Sequence, residues 1–376
     1  MNIPLPPRPN FKIVRLAEGD VRGKSDHLAN FRQLIVSNQE MYPAIERWYT
    51  DKVIPGIRHE ERVAFVGYLE ENPVVSAVVK KGDAAKFCHL RLDPSVMDSH
   101  LGEVFFSLMA LEIRDLAKTV HFTLPGSVWG EKGPFFQSFG FSEVQSAERQ
   151  YRLFDQELHS SAPFSRVWQS SIEKMPKLAH LCGVGGFSPD TQLLLSIHPK
   201  YAEDILAKRK TVELRRRFST KWLGHRINLY ATAPVMSLVG EARIAGVVAN
   251  TPEILWQRFQ GQIGCTRAEF DQYAKGVDEL YAIELDDVRP YKDRIPLVQA
   301  SQMLGENLVP PQSYVTLEKN KSWAKAVSLA AYLHACFKST FSFALDIGHL
   351  SPRPANTPPP PSLSGNLDQE EFNFVQ

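Results

Sequence analysis

Long apolar runs are missing from this 376-residue chain. No stretch approaches the ~20 apolar residues that a membrane-spanning helix needs, so no membrane partner is expected. The start, MNIPLPPRPNFKIVRL, has neither the charged region nor the apolar core of a secretory signal. Cysteine is scarce: Cys88, Cys182, Cys265 and Cys336 stand far apart, without a C-x-x-C pair. That argues against a disulfide framework and for reduced thiols, so the expected compartment is the cytoplasm. No His, Cys and carboxylate cluster has metal-ligand spacing, and no metal is expected. Net charge is almost absent, 43 Lys and Arg against 42 Asp and Glu leaving +1. No global field draws this chain to nucleic acid, and any such binding must come from a local patch.

What is present suffices for real cores. Hydrophobic residues at 43% and charged residues at 23% are ordinary for a globular protein, and the length predicts two domains. Residues 1–10 are expected to be a proline-rich, extended arm. From 11 to 154, FKIVRL, RVAFVGYL, PVVSAVVKK, KFCHLRLD, VHFTLP and RQYRLF have strand character. SDHLANFRQLIVSNQ, HLGEVFFSLMALEIRDLA and GPFFQSFGF have helix character. EENP marks a hairpin, and a strand–helix–strand crossover follows, which predicts a mixed sheet with helices on its faces.

Residues 155–190 are expected to be a connecting helix and linker. From 191 to 318 the pattern restarts. QLLLSIHP, TVELRRR, RINLYAT, MSLVGEARIAGVVAN (bent at Gly240) and LYAIELDDVRPY are strand-like, and KYAEDILAKRK, TPEILWQRF and CTRAEFDQYAKG are helix-like. Many short strands with a few helices predict a small β-barrel with helical insertions. Residues 319–350 are expected to be a C-terminal helix and 351–376 a disordered tail. The expected fold class is α+β in two domains.

The stretch AKRKTVELRRRFSTKWLGHRINLYATAP crowds cations beside an alternating segment. In an extended strand Thr211, Glu213 and Arg215 share one face while Val212 and Leu214 turn to a core. Glu213, flanked by Lys210 and Arg215, would hold both cations in position. Arginine offers a planar fork for phosphate oxygens and lysine a point charge. The plainer alternative is a solvated strand edge, and among Arg215, Arg216 and Arg217 at least one must point to water. Trp222 and Tyr230 are either stacking rings or core residues.

Residues 191–315 resemble the ASCH family of the PUA-like superfamily. In that family a strand ending in Ser-x-x-Pro leads through a helix to G-x-K-x-x-E-x-R. Lys210, Glu213 and Arg215 stand at those spacings, with Lys208 in place of the glycine. EFDQYAKG, LYAIELDDV, RIPLVQA and PPQSYVTL follow in the family's order. The resemblance implies a small barrel that binds RNA or a modified nucleotide, here through Lys210, Glu213, Arg215, Arg216 and Arg217. Some members of the superfamily are amidohydrolases that free an acyl group from a modified cytidine with a lysine, a threonine and a glutamate. Lys210 matches the lysine, but Glu213 stands at the threonine position.

In the first region KFCHLRLDP feeds a turn, MDSHLGEVFF, that opens a helix, and WGEKGPFFQSFGF follows later. Residues 11–154 thereby resemble the GNAT superfamily of N-acetyltransferases, whose R/Q-x-x-G-x-G/A turn holds coenzyme A pyrophosphate on backbone N–H groups. Gly102 matches the second glycine and His100 replaces the first. Phe135, Gly140 and Phe141 match a second signature, in which Trp129 and Phe136 replace an asparagine and the tyrosine that protonates the thiolate. The resemblance implies acetyl-CoA as cofactor, held at His100, Leu101, Gly102, Glu103, Val104 and Phe135. Glu103 and His89 are the candidate catalytic groups, with Asp93 nearby; Phe136 has no proton to give. The plainer alternatives are a satisfied sheet histidine and a glutamate placed for the helix dipole.

Three functions follow as expectations. The first is an acetyl-CoA-dependent N-acetyltransferase joined to an RNA- or nucleotide-binding barrel. The second is a non-catalytic nucleic-acid-binding protein with a degenerate first domain. The third is an amidohydrolase acting on an acylated nucleoside.

Overall fold

The computed structural model describes residues 9–37, 39–97, 99–148, 151, 155–182, 192–336 and 340–344. Strand β1 (Asn10–Leu16) leads into helices α1 (Glu18–Gly23), α2 (Asp26–Val36), α3 (Ile45–Trp48) and α4 (Ile54–Arg58). Strands β2 (Arg62–Leu69), β3 (Asn72–Lys80) and β4 (Ala84–Leu92) follow, then α5 (Leu101–Ile113), β5 (Thr119–Pro125), α6 (Gly126–Gln137), β6 (Gln145–Ser146), β7 (Glu157–Pro163) and α7 (Phe164–Leu181). The hairpin at EENP joins β2 to β3, as its sequence predicts.

These strands form one eight-stranded mixed sheet in the order β14-β1-β2-β3-β4-β5-β7-β6, where β14 (Thr340–Ala344) comes from the far end of the chain. Its central strands are near-continuous runs of Val and Ala because helices cover both faces. Val14, Phe31, Ile35, Val53 and Val66 build the core beneath α1–α4. On the opposite face Phe105 of α5 meets Phe11 and Phe65 edge-on. Helix α5 is apolar all round, since Leu101 through Leu111 includes only two residues that are not buried.

The second sheet runs β13-β8-β10-β11-β12-β9, built from β8 (Gln192–Ile197), β9 (Val212–Arg215), β10 (Arg226–Ala231), β11 (Ser237–Asn250), β12 (Leu280–Pro296) and β13 (Tyr314–Thr316). Among the described residues β13 and β9 do not pair, so the barrel stays partly open. Strand β11 bends as expected, with ladder shifts at Leu238/Gly240, Glu241/Arg243 and Ile244/Gly246. A Cβ on Gly240 would lie 2.7 Å from the Arg289 carbonyl, so only glycine lets β12 approach there. Helix α8 (Pro199–Leu206) joins β8 to β9. Helices α9 (Pro252–Phe259) and α10 (Arg267–Ala274) are inserted before β12, and Thr266 and Glu269 close a reciprocal capping box on α10.

The α+β class with two mixed sheets is the one expected, and two segments differ in detail. The stretch expected to be a connecting helix and linker supplies β7 ahead of α7, and β7 pairs along its whole length with β5. The C-terminal segment is not helical throughout. Helix α12 (Lys321–Cys336), reached through α11 (Leu297–Leu304), ends, and Thr340–Ala344 pairs with β1. The alternating Thr-Phe-Ser-Phe pattern suits a strand better than a helix. The second sheet is therefore inserted between elements of the first. Tyr332 of α12 donates to the Val104 carbonyl of α5 at 3.1 Å, and Trp168 of α7 donates to the Met303 carbonyl of α11 at 2.7 Å. Trp222 and Tyr230 are buried core residues, and Tyr230 packs on Trp323. Most of the proline-rich arm, most of RQYRLF, residues 183–191 and the tail lie outside the described residues. No helix among the described residues is long and apolar enough to cross a membrane.

Candidate functional site

The basic strand β9 is entered through a tight turn at the end of α8. Lys208, where the motif has glycine, adopts a left-handed backbone with φ 60°. The N–H groups of Arg209 and Lys210 both reach the Asp204 carbonyl, at 2.8 and 3.0 Å. The alternation then works as the sequence predicts. Val212 and Leu214 pack against α9 and α10, while Glu213 and Arg215 face Ile283 and Tyr281 across the ladder on the barrel side.

There the three polar residues come together. Lys210 is 3% exposed, and its ammonium donates to the carbonyls of Val212 (2.7 Å) and Ile263 (2.6 Å). It also lies 3.3 Å from Glu213 Oε2, and the other Glu213 oxygen takes Arg215 Nη2 at 2.9 Å. Arg215 Nη2 further donates to the Ser196 carbonyl at 2.8 Å, tying β9 to β8 across the open side of the barrel. Buried charges are tolerable only when each is paired and hydrogen-bonded, and Lys210 and Glu213 meet that condition. Arg215 Nε, by contrast, has no acceptor among the described residues. Gly264, at φ 67°, lets the Lys210 stem pass: a Cβ there would meet Lys210 Cβ at 3.2 Å.

Three rings that sequence reasoning missed surround this cluster. Tyr201 lies over the Lys210 ammonium at 5.2 Å, and burial pushes its phenol above the usual range. Tyr281 and Tyr314 are half-buried against the same core, and Phe218 packs on Tyr314. Only Tyr281 had a legible signal, its strand position opposite the motif arginine. The remaining cations sit outside. Arg216 is exposed, donates to the Tyr273 carbonyl at 2.7 Å and lies over that ring; Arg217 is exposed as well. The five basic-turn residues thus divide into a buried, mutually paired set (Lys210, Glu213, Arg215) and an outward pair.

In the first sheet β4 and β5 pair in parallel only at Ala84–Lys86 with Thr119–His121. Beyond that they part, leaving a wedge that ends at the N-terminus of α5. His100 caps this helix with φ 60°, the left-handed conformation that glycine adopts freely. Leu101 and Val104 are buried, so they can offer only backbone. Gly102 lies against Phe135, where a Cβ would sit at an ordinary 3.5 Å. Glu103 Oε2 lies 3.1 Å from His100 Nδ1 and 3.3 Å from the ammonium of Lys177, which α7 supplies from the segment expected to be a connecting helix and linker. The first-turn N–H groups, His100 and Lys177 together fit an anion such as a pyrophosphate, with Glu103 as the internal counter-charge.

His89 is held elsewhere, its Nε2 2.9 Å from Ser76 Oγ and its ring beside Trp48. Burial, then nearby Arg91, lowers its pKa to about 4. Asp93 caps the turn after β4 through the N–H of Ser95. Phe136 packs among Phe106, Phe122 and Trp129. Among the described residues no cluster could hold a metal ion.

Residues 192–309 match a family described as a domain of unknown function, DUF365. An ASCH domain-containing ribonuclease of Zymomonas mobilis subsp. mobilis is 33% identical over 140 residues, 37% of this chain and 93% of that protein. The crystal structure of ASCH from Zymomonas mobilis is 32% identical and covers 37% of this chain and 96% of its own, with a TM-score of 0.34. An acetyltransferase from Streptococcus agalactiae 2603 is 15% identical and covers 41% of this chain and 98% of its own, with a TM-score of 0.33. Fold and site together define a two-domain α+β protein whose half-open barrel carries a buried Lys–Glu–Arg cluster at its mouth. By its identity to the ribonuclease across nearly all of that relative, the chain belongs to the ASCH domain family.

Proposed function

We propose that this protein acts on RNA through its ASCH domain, and that its first domain is an acetyl-CoA-dependent N-acetyltransferase for an amine on that RNA or on a modified nucleotide. The observation that carries the RNA reading is the 33% identity to a protein described as a ribonuclease. The barrel mouth supports it. Tyr201, Tyr281 and Tyr314 offer ring surface to an unpaired base. Arg216 and Arg217 stand outside, where phosphates would lie. Cleavage of RNA is the second reading, favoured by the relative's description. The amidohydrolase reading has less support, because the Lys210 ammonium already has three acceptors.

Acetyl-CoA, when bound, supplies a thioester carbonyl open to attack by an amine. The N–H groups of Leu101 and Gly102, with His100 and Lys177, would hold its pyrophosphate, and Phe135 would flank it. A base with a pKa near 4, as at His89, accepts a proton poorly at neutral pH. Glu103, bonded to His100 and Lys177, would then serve at the pyrophosphate end, a pantetheine arm away from the thioester. Free thiols at Cys88, Cys182 and Cys265 are in keeping with a reducing compartment, and we place the protein in the cytoplasm.

Two measurements test the halves separately. Calorimetric titration of acetyl-CoA should show saturable binding that Gly102→Asp abolishes; no binding to the parent removes the acyltransferase half. An end-labelled RNA should bind the full chain, and its length after incubation separates binding from cleavage. Absence of any binding removes the RNA half.

A further inference from the structure

Helices α1–α4 cover one face of the first sheet over β1–β3. Among the described residues, the helices that pack on β5 and β7 are α6 and α7, whose contacts, like those of α5 with β4, lie on the opposite face. Among the described residues, no helix packs on the first face toward the β7 edge. A line of basic residues runs onto it. Arg62 on β2 lies under α4, where a Cβ on Gly56 would meet its side chain at 2.5 Å, but its register partner Lys80, at the end of β3, is exposed. Lys80 is in register with Lys86 on β4, and Lys86 with His121 on β5. Directly opposed residues share a face. On β7 the next partner is Ser161, and His159 beside it brings its ring to 5.6 Å from that of His121.

Like charges directly opposed in a ladder destabilise it, and here the usual remedy is missing. The nearby carboxylates are engaged elsewhere: Asp83 pairs with Lys118, and Glu112 with Arg15. Arg62 donates to Cys88 Sγ at 3.1 Å, and Lys86 lies over the exposed Tyr151 ring at 5.6 Å. His121 is held below its ordinary pKa by burial and then by Lys86, His159 and Lys80, with no carboxylate acting against them. In a chain of net charge +1, Lys80 and Lys86 stand directly opposed, with no carboxylate paired to either among the described residues.

We infer that the sheet face carrying Lys80, Lys86 and His121 binds the phosphate backbone of single-stranded RNA. Strands lie ~4.8 Å apart, so three positions span about 10 Å, more than one phosphate occupies. Tyr151 offers a ring to an unpaired base beside Lys86. The line also borders the wedge, because Lys86 and His121 are the last pair before β4 and β5 part. RNA lying on it would carry a nucleotide to that opening. The choice of RNA among polyanions rests on the proposed ASCH function; the positive line does not.

The test is fluorescence anisotropy with the full chain and an unstructured 20-nucleotide RNA over a salt series. The parent is compared with Lys80→Gln/Lys86→Gln and with Arg216→Gln/Arg217→Gln. The first variant should bind on the order of tenfold more weakly at 0.1 M salt, with a log K against log salt slope flatter by about 1.4, for two lost contacts of ~0.7 each. Its melting temperature should not fall, since it loses only opposed charges. An unchanged slope while the parent binds overturns the inference and leaves the ASCH reading intact. Displacement of RNA by an equal phosphate concentration of pyrophosphate also overturns it, in favour of a small-anion site. A parent that binds no RNA removes both.

Discussion

Lys208 and His100 stand at matching places in the two domains. Each is a residue with a side chain at a turn where the resembled family has glycine, and each keeps the left-handed backbone at φ 60°. Beside each turn a glutamate is shared between two basic side chains. Glu213 is 8% exposed between Lys210 at 3% and Arg215 at 12%, whereas Glu103 is 18% exposed between His100 at 48% and Lys177 at 51%. The same three-residue chemistry therefore does different work. Out of water, the charges must satisfy one another and fix the shape of the barrel mouth. In contact with water, they can exchange partners, and the helix terminus stays available to an incoming anion.

The sharpest way to break this comparison is to delete a cation from each cluster. Lys210→Ala leaves Glu213 and two carbonyls without their donor in the interior and is expected to cost about 3–5 kcal/mol in chemical denaturation. The charge-free pair Lys210→Met with Glu213→Gln should recover much of that loss. Lys177→Met, the counterpart in the first domain, should cost under ~1 kcal/mol. Equal costs at the two sites would end the distinction.

His89 gives the next largest effect. Its folded pKa lies below its unfolded one, so the unfolded chain takes up the proton first as pH falls. Stability at neutral pH is therefore lost progressively from about pH 6.5 toward 4. The loss should be on the order of 2 kcal/mol, and His89→Gln should flatten that limb; a variant with the parent's profile would show that the histidine is not held neutral.

Smaller again are the turns. His100→Gly and Lys208→Gly should each stabilise by about 1 kcal/mol, since both relieve a left-handed backbone. The smallest effect sharpens the contrast. With the melting temperature nearly unchanged, Lys177→Met should still weaken acetyl-CoA binding several-fold by calorimetry, because the exposed cluster is the one open to exchange.

The hairpin at EENP, the crossover around α5 and the bend at Gly240 were legible because each rests on local chemistry. So was the alternation that sends Glu213 and Arg215 one way and Val212 and Leu214 the other. What was not legible depends on distant chain. Thr340–Ala344 follows a strong apolar helix, and only its pairing with β1 shows why the alternating pattern there matters. Lys177 lies on the helix of the connecting segment and meets Glu103 only once α7 packs beside α5. Tyr201 and the Ile263 carbonyl reach Lys210 from separate elements. The spacing of Lys210, Glu213 and Arg215 showed that they act together, but nothing in it showed that they face inward.

Hydrogen–deuterium exchange on the full chain, with and without a saturating unstructured RNA, tests the central claim most directly. RNA action through the barrel mouth predicts new protection in the Ser196–Tyr201, Lys210–Arg217 and Tyr314–Thr316 segments. Bound RNA that leaves all three segments exchanging as in the free protein would contradict it.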